Sequence, residues 1–281
     1  MDVLLVGVIP SRRGRFKCMI SVHVDLPAPT LTGTEIFREL VNTLGAVREE
    51  QVYKLALEGQ MPLFLRQWVE VPVAHGALSG TVYVLPDFFC LGTNEDYLYA
   101  PMGALNAERV GDLLGARLPT VSLVRQVYTS SKKQVAQPWG PPYDGSMSHT
   151  SRWPVQTAKV RAALFASKTK PGDLVEGHYK NVIVSKKTMT SHGVMLGFWG
   201  WFDRDGRPIQ GDSQAHGAGY CDYSHGVRYV LNEMVVEGQL MAVDDVLRHE
   251  EYYHLISDER FGEHTTYHSA RAAHGVTQVQ Y

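Results

Sequence analysis

The sequence predicts an α+β protein: a helical N-terminal half that contains one β-hairpin, and a mixed or antiparallel sheet in the C-terminal half. Apolar residues recur at helical spacing in several segments of the first half. Alternating, β-branched runs separated by turn residues dominate the second half. The chain has 281 residues, 44% hydrophobic and 20% charged, which is an ordinary globular composition. We expect one domain over residues 1–281, with a division into two lobes near 137–154 as the alternative.

Capping residues and apolar periodicity predict the first elements. In "GTEIFRELVNTLG" a threonine can cap a helix whose apolar stripe ends at Gly45, and a second short helix is expected over about 47–58. The segment "WVEVPVAHGALSGTVYVLPDF" then alternates in two runs around a Gly/Ser turn. This pattern predicts a hairpin that ends at Pro86 and leaves Asp87 at the end of a strand.

Three further helices and one loop complete the first half. Helices are expected in "NAERVGDLLGA" and "VSLVRQVYTSSKKQ", with Thr120 as the N-cap of the second and Pro119 forcing a break between them. The segment over 137–154 is rich in Pro, Gly, Ser and aromatic residues, which favours a loop over a cleft. An amphipathic helix follows in "VQTAKVRAALFAS".

The C-terminal half is predicted to consist mainly of strands. They are expected in "DLVEGHYKNVIVSKK", in "GVMLGFWGWFD" and, after a "DRDG" turn, in "RPIQ". The segment "VRYVLNEMVVEGQLMAV" can form a hairpin that turns at Glu237 and Gly238. We expect Asp244 to cap a short helix in "DVLRH".

Composition excludes several classes of function. A formal net charge of −2 and two short basic doublets argue against a nucleic-acid partner. The N-terminal run "VLLVGVIP" is too short to span a bilayer and precedes its basic residues, so we expect no membrane partner and synthesis in the cytoplasm, with action at a cell wall left open. Three cysteines without a CxxC pair argue against a disulfide framework. No nucleotide-binding motif is present, and we expect no cofactor.

The segment "HGAGYCDYSHGVRY", residues 216–229, concentrates titratable side chains and is the predicted functional site. His216 is expected to act as a general acid or base, with Asp222 orienting it. Ser224 offers a hydroxyl nucleophile, and His225 a second proton-transfer group or substrate ligand. Because adjacent residues of a strand point to opposite faces, Ser224 and His225 are not expected to work as a dyad. A polar turn that only satisfies buried backbone groups is the structural alternative.

Other segments are expected to complete this site. Lys180, predicted on a strand, is the candidate base, oxyanion donor or carboxylate clamp. The predicted substrate-binding residues are Arg228, Tyr220, Asp87 and Trp201. Tryptophans could form a platform for a sugar or peptide, or pack as buried strand faces; they are Trp139, Trp153, Trp199 and Trp201.

Several blocks together resemble an uncharacterised family of bacterial and phage proteins. The resemblance covers roughly residues 55–260 and is carried by "EGQMPLFLRQW", "VLPDFFCLGTNEDYLYAPM", "LGARLPTVSLVRQVY", "GFWGWFDRDGRPIQ" and "HGAGYCDYSHGVR". The chain departs from the expected pattern at Gln60, Asn181 and Phe202. The resemblance implies a shared fold and a shared site, and it implies no particular reaction.

We therefore expect a hydrolase that acts on an extracellular or cell-wall polymer, either glycan or peptide, at an amide or glycosidic bond. Three enzyme templates remain open. A zinc peptidase of the LAS kind would use His216, Asp222, Glu251 and His254, although one gap in that motif is a residue short. An NlpC/P60-like amidase would use Cys221 or Ser224 as nucleophile. A glycosidase would need two facing carboxylates. The alternative outside enzymes is a glycan-binding or virion structural protein, and the sequence does not indicate an oligomeric state.

Overall fold

The α+β class is confirmed by the computed structural model, which describes residues 8–10, 16–18, 26–138, 144–190 and 193–274. Trp139, part of the predicted 137–154 loop and most of the apolar N-terminal run lie outside these residues. Seven α-helices occur in the described part: α1 (Gly33–Leu40), α2 (Gly45–Leu57), α3 (Ala104–Leu113), α4 (Val121–Ser130), α5 (Trp153–Ala166), α6 (Val243–Arg248) and α7 (Tyr267–His274).

The strands are mostly short. In chain order they are β1 (Val8–Pro10), β2 (Phe16–Cys18), β3 (Val69–His75), β4 (Leu78–Val84), β5 (Cys90–Gly92), β6 (Tyr97–Tyr99), β7 (Ala116–Arg117), β8 (Lys133–Gln134), β9 (Val175–Glu176), β10 (Lys180–Ile183), β11 (Met189–Thr190), β12 (Gly193–Phe202), β13 (Pro208–Gly217), β14 (His225–Gly226), β15 (Val230–Leu231), β16 (Glu233–Val236) and β17 (Gln239–Ala242). None of the helices in the described residues is long and apolar enough to cross a bilayer.

The first large sheet joins the predicted hairpin to strands from the end of the chain. Its order is β17-β16-β4-β15-β7, and β3 pairs with β4. All of these pairs are antiparallel. The turn between β16 and β17 lies at Glu237 and Gly238, where both φ angles are positive, as expected for a tight hairpin turn.

The second large sheet positions the predicted site. Its order is β11-β12-β10-β14, and β13 pairs with β12. Strand β10 runs antiparallel to β12 and parallel to β14, which places Lys180 opposite Gly200 on one side and opposite His225 on the other. The pairing of β12 with β13 shifts register around Phe198.

A break in the alternation of β12 separates two tryptophans that regular strand geometry would place on one face. Gly200 and Trp201 have φ angles of 104° and 58°, so the backbone there leaves the extended region. Trp199 packs in a small apolar cluster with Val124 and Ile183, whereas Trp201 belongs to the main core. Both tryptophans are buried, as one of the two alternatives predicted, but they lie in separate apolar clusters and not on one strand face.

Local capping differs from the sequence prediction at two helices. Thr32, one residue before the quoted segment, caps α1 and forms a capping box with Glu35. Thr120 caps α4 as predicted, because its hydroxyl accepts a hydrogen bond from Leu123 N. Asp244 does not cap α6; it pairs with Arg117 instead. Between α3 and α4 the chain forms β7, a ladder with β15, instead of a simple kink.

Candidate functional site

Two neighbouring strands bring Lys180 and His225 onto the same face of the second sheet. Lys180 N donates a hydrogen bond to Ser224 O at 3.0 Å. Both side chains contact Phe198 of β12: the His225 ring stacks on it at 5.3 Å, and Lys180 Nζ lies 5.2 Å from the ring centroid. The parallel β10–β14 pairing thus assembles what we call the Asp222 cluster, namely Lys180, Asp222, Ser224 and His225.

Asp222 is the ionised centre of this cluster. Its Oδ1 accepts hydrogen bonds from Ser224 N at 2.7 Å and from Ser224 Oγ at 2.5 Å, and its Oδ2 lies 3.5 Å from His225 Nε2. Burial by itself raises the pKa of Asp222, but His225, Lys180 and the bonds from Ser224 outweigh burial and leave the pKa below its usual value. The carboxylate is therefore charged at neutral pH although the residue is only 3% exposed.

His225 is a neutral histidine with a defined tautomer. The side chain is fully buried, and burial lowers its pKa to about 4. Its Nδ1 accepts a hydrogen bond from Asp222 N at 3.4 Å, so the ring proton lies on Nε2, which faces the carboxylate. This histidine can donate from Nε2, but it has no free lone pair with which to act as a base at neutral pH.

Lys180 is an almost buried amine without a polar partner. The residue is 6% exposed, and Nζ lies 5.2 Å from the ring centroids of both Phe198 and Trp201. Lys180 Nζ makes no hydrogen bond and no ion pair with any residue that the structure describes. Burial lowers the pKa of Lys180, and the charge of Asp222 opposes this effect without cancelling it. A lysine in such surroundings is suited to accept a proton.

His216 and Tyr220 lie at the outer edge of the Asp222 cluster. Both are partly exposed, their rings stack at 3.9 Å, and the Tyr220 ring lies 5.8 Å from that of His225. The expectation that Asp222 orients His216 is wrong, because the imidazole next to the carboxylate is that of His225. The turn at 217–221 carries His216 away from Asp222 and onto the tyrosine.

The two predicted nucleophiles are not activated as expected. Ser224 is fully buried and donates its hydroxyl proton to the Asp222 carboxylate, with no histidine beside it as base. Cys221 is buried, and burial raises the pKa of its thiol well above the usual value. The chain after Cys221 forms a turn and the short strand β14 rather than a helix. A helix N-terminus, which would stabilise the thiolate of an NlpC/P60-like enzyme, is thus missing after Cys221.

Asp87 lies in a second buried group and is held by internal partners. Its Oδ1 lies 3.0 Å from His178 Nε2, and its Oδ2 accepts a hydrogen bond from Tyr99 OH at 2.7 Å. His178, two residues before Lys180 in the chain, contacts Phe88 and Tyr179. Asp87 is 4% exposed, and both of its oxygens are already used. This geometry gives Asp87 a structural role rather than the expected contact with substrate.

Arg228 is also a structural residue in this geometry. It is fully buried and forms an ion pair with Glu176, with Nε and Oε2 3.0 Å apart. Its other two nitrogens donate to Leu85 O and Val175 O. The guanidinium therefore joins three chain segments and is not presented to an external anion.

The three predicted platform tryptophans in the described part, Trp153, Trp199 and Trp201, are buried and form no exposed platform. Trp201 is 1% exposed, and its Nε1 donates to His178 O at 3.1 Å. Trp153 is equally buried, and Trp199 is 6% exposed. Trp201 contributes to the site as an apolar wall beside Lys180 and not as a surface that contacts substrate.

Sequence reasoning missed two buried charged residues of α2 that lie near the Gly-rich segment. Arg48 Nη1 donates to Ser148 O at 2.6 Å, and Arg48 Nη2 lies 3.6 Å from Glu49 Oε1. Glu49 also accepts a hydrogen bond from Gly103 N. Burial raises the pKa of Glu49 to about 7. A charged "REE" run in a helix is typical of a solvated face, so the sequence contains no signal for this burial.

Replacement of Glu49 by glutamine should flatten the pH dependence of stability. A carboxyl with a folded-state pKa of about 7 and an ordinary value of 4.5 stabilises the fold fully below pH 4.5, and this contribution is lost as the pH rises to about 7. The loss is on the order of 3 kcal/mol. We expect urea unfolding of Glu49→Gln to show a smaller decrease between these two pH values.

Two comparisons test this expectation. Glu108, whose pKa burial also raises to about 7, should keep part of the slope in the Glu49→Gln protein. The exposed Glu39, changed to glutamine, should leave the slope as in the unmodified chain. An undiminished slope in Glu49→Gln would show that Glu49 is not the protonated group.

The four residues of the LAS template have separate neighbours. His216 stacks on Tyr220, whereas His254 stacks on His75 at 4.4 Å. In the ranges that the structure covers, no three His, Cys, Asp or Glu side chains form a group that could hold a metal ion. The LAS spacing in the sequence therefore does not correspond to an assembled site.

Comparison with known proteins identifies no match: no protein-family model, no curated protein and no solved structure is found to be similar to this chain. The resemblance to the uncharacterised bacterial and phage family stays a prediction.

Proposed function

We propose that this chain is a hydrolase that cleaves an amide or glycosidic bond of an extracellular or cell-wall polymer at the Asp222 cluster. The observation that carries the proposal is the amine of Lys180, which is almost buried, makes no hydrogen bond or ion pair with any described residue and interacts electrostatically with the ionised Asp222. An amine and a carboxylate whose pKa values are both shifted by their surroundings are typical of acid–base sites.

In this proposal Lys180 acts as the general base. Its neutral amine takes a proton from an attacking water, Asp222 stabilises the positive charge that forms, and the protonated amine then gives this proton to the leaving group as the bond breaks. Ser224 fixes the carboxylate through two hydrogen bonds, and the Nε2 proton of His225 faces the carboxylate's other oxygen. Proton transfer by a positioned group of this kind contributes about 10²–10⁴ to a rate.

His216 and Tyr220 are the residues that we assign to substrate contact. They are the partly exposed members of the site, and their stacked rings present apolar faces and polar edges together. A polymer that lies across this pair would bring one bond toward Lys180. The choice between an amide and a glycosidic bond is left to the assay.

The test is a substrate panel with the full chain and its Asp222→Asn variant. Purified peptidoglycan, casein, xylan and chitin are incubated with each protein, and new amino groups and reducing ends are measured. We expect hydrolysis of one substrate class and a loss of about 100-fold or more in Asp222→Asn, because a neutral amide does not stabilise the protonated lysine. The exposed Asp205, changed to asparagine, serves as the matched control.

Two results would contradict the proposal. The first is the absence of new ends from every substrate of the panel, and the second is full activity of Asp222→Asn. If the chain binds a glycan but forms no product, and if His216→Ala weakens this binding, the glycan-binding alternative is favoured over the hydrolase.

A further inference from the structure

A cavity of about 410 Å³ lies on the face of the second sheet that is turned away from the Asp222 cluster. Trp199 forms part of its wall, and adjacent residues of a strand point to opposite faces, so Trp199 and Phe198 face different sides. The remaining lining comes from the start of α4, the turn after β10, strand β13 and the segment 257–259. The volume falls within the range of about 300–1,000 Å³ that is common for small-molecule sites.

The lining of this cavity carries two cations and three carboxylates, and each of these groups has a partner within the protein. Arg125 pairs with Asp258 at 2.7 Å, and Lys187 pairs with Asp212 at 3.1 Å. The fifth charged residue of the lining, Glu259, accepts a hydrogen bond from Lys186 N at 2.6 Å. Each cation already has a carboxylate, and no cation is left over to hold an anionic ligand. The net negative charge of the lining disfavours an anionic ligand, and the internal partners of the charged groups leave hydrogen-bonding atoms for a neutral one.

The polar groups of the cavity suit a ligand with many hydroxyl groups. Ser185 lines the cavity, is 6% exposed and has a buried Oγ without a hydrogen-bond partner among the described residues. A buried hydroxyl without a partner is unfavourable, and a ligand oxygen would satisfy it. Ser122 adds a partly exposed hydroxyl at the first turn of α4.

The apolar part of the cavity consists of Trp199, Val121 and Val184, and a planar cation lies beside the tryptophan ring. The Arg125 guanidinium lies 5.2 Å from the Trp199 ring centroid and is held there by Asp258. The apolar side chains offer contacts for C–H groups, and the half-exposed Arg125–Asp258 pair offers hydrogen-bond donors and acceptors. A sugar ring presents both kinds of group, with C–H bonds on its faces and hydroxyls at its edge.

We propose that this cavity binds a neutral saccharide unit, at a site separate from the Asp222 cluster. Ser185 and Arg125 bind ring hydroxyls, and the small exposed part of Trp199, together with Val121 and Val184, contacts C–H groups of the saccharide. The inference goes beyond the proposed hydrolase function, because it stands on different residues and holds for a non-catalytic chain as well.

The test measures binding of the full chain to maltohexaose, cellohexaose, xylohexaose and chitohexaose by titration calorimetry. We expect one of these neutral oligosaccharides to bind. In Ser185→Ala the Kd for that oligosaccharide should rise by roughly 3- to 10-fold, because one hydrogen bond is lost. The thermal midpoint of Ser185→Ala should not fall, since Oγ has no internal partner to lose. Trp199→Leu should abolish binding, and the exposed Ser151→Ala is the matched control.

Three outcomes would overturn the inference: no binding of any of the four at roughly 10 mM, an unchanged Kd in Ser185→Ala, or tighter binding of an anionic hexasaccharide such as hexagalacturonate. The Asp222→Asn protein separates the two proposals. It should bind the oligosaccharide with an unchanged Kd, so failure of the hydrolase proposal leaves this binding in place.

Discussion

Lys180→Met abolishes activity and leaves the fold intact: this is the largest functional effect that we expect. Methionine matches the length of the lysine stem but cannot accept a proton, so kcat/KM should fall by about 10²–10⁴. The thermal midpoint should stay level or rise, because the substitution removes an almost buried amine that has no partner among the described residues. The measurement is a kcat/KM determination on the substrate found with the panel, together with a thermal unfolding scan.

One further variant tests whether Lys180 acts as a base or only as a positive charge, and a second variant is its control. Arginine stays charged at every accessible pH, so Lys180→Arg should be as inactive as Lys180→Met. Retained activity in Lys180→Arg would contradict the role of Lys180 as a proton acceptor. Lys132→Met, at an exposed ion pair, should behave like the unmodified chain.

The pH profile gives an independent check on Lys180. Only the neutral amine acts as base, so activity should rise with pH as Lys180 loses its proton. Because burial lowers the pKa of Lys180, the midpoint of this rise should lie below the ordinary lysine value of 10.5. A midpoint at or above that value would contradict the proposed site.

Arg228→Met should cause the largest loss of stability. The substitution leaves the fully buried Glu176 carboxylate without its cation and removes the bonds to Leu85 O and Val175 O. Removal of one partner of a buried ion pair costs about 3–5 kcal/mol. We expect this decrease in the free energy of unfolding, measured by urea titration.

A double variant and an exposed pair are the controls for Arg228. Glu176→Gln removes the unpaired charge, so adding it to Arg228→Met should recover part of the loss, giving a coupling between the two positions. Arg260→Met, at the exposed pair with Glu250, should change stability by no more than about 1 kcal/mol. If Arg228→Met lowered the free energy of unfolding by no more than about 1 kcal/mol, the buried pair would not be what holds these segments together.

Individual helices, strands and turns were predictable because they depend on interactions between residues a few positions apart. Alternation and turn residues predicted the β3–β4 hairpin, the hydroxyl of Thr120 predicted the start of α4, and positive φ at Glu237 and Gly238 fits the predicted turn. The Asp244 cap failed for a long-range reason. Its carboxylate is taken by Arg117, which lies 127 residues earlier in the chain.

The site was predictable as a set of residues but not as an arrangement. The density of titratable side chains in 216–229 pointed to Asp222 and His225, and strand spacing pointed to Lys180. Nothing in the spacing indicated that Asp222 faces His225 instead of His216, because a turn of the chain decides which imidazole the carboxylate meets. The buried Glu49 gave no signal at all.

The sequence alone determined the α+β class, most helices and strands, and the segment in which the titratable groups are gathered, since capping, periodicity and turn chemistry act between near neighbours. The tertiary structure decided which of those groups are buried, charged or paired. Parallel pairing of β10 with β14 placed Lys180 beside His225, and burial then shifted the pKa of each, while Arg228 was drawn into an internal ion pair and Asp87 into hydrogen bonds with buried side chains. These outcomes depend on contacts between distant segments, which no local pattern of residues encodes.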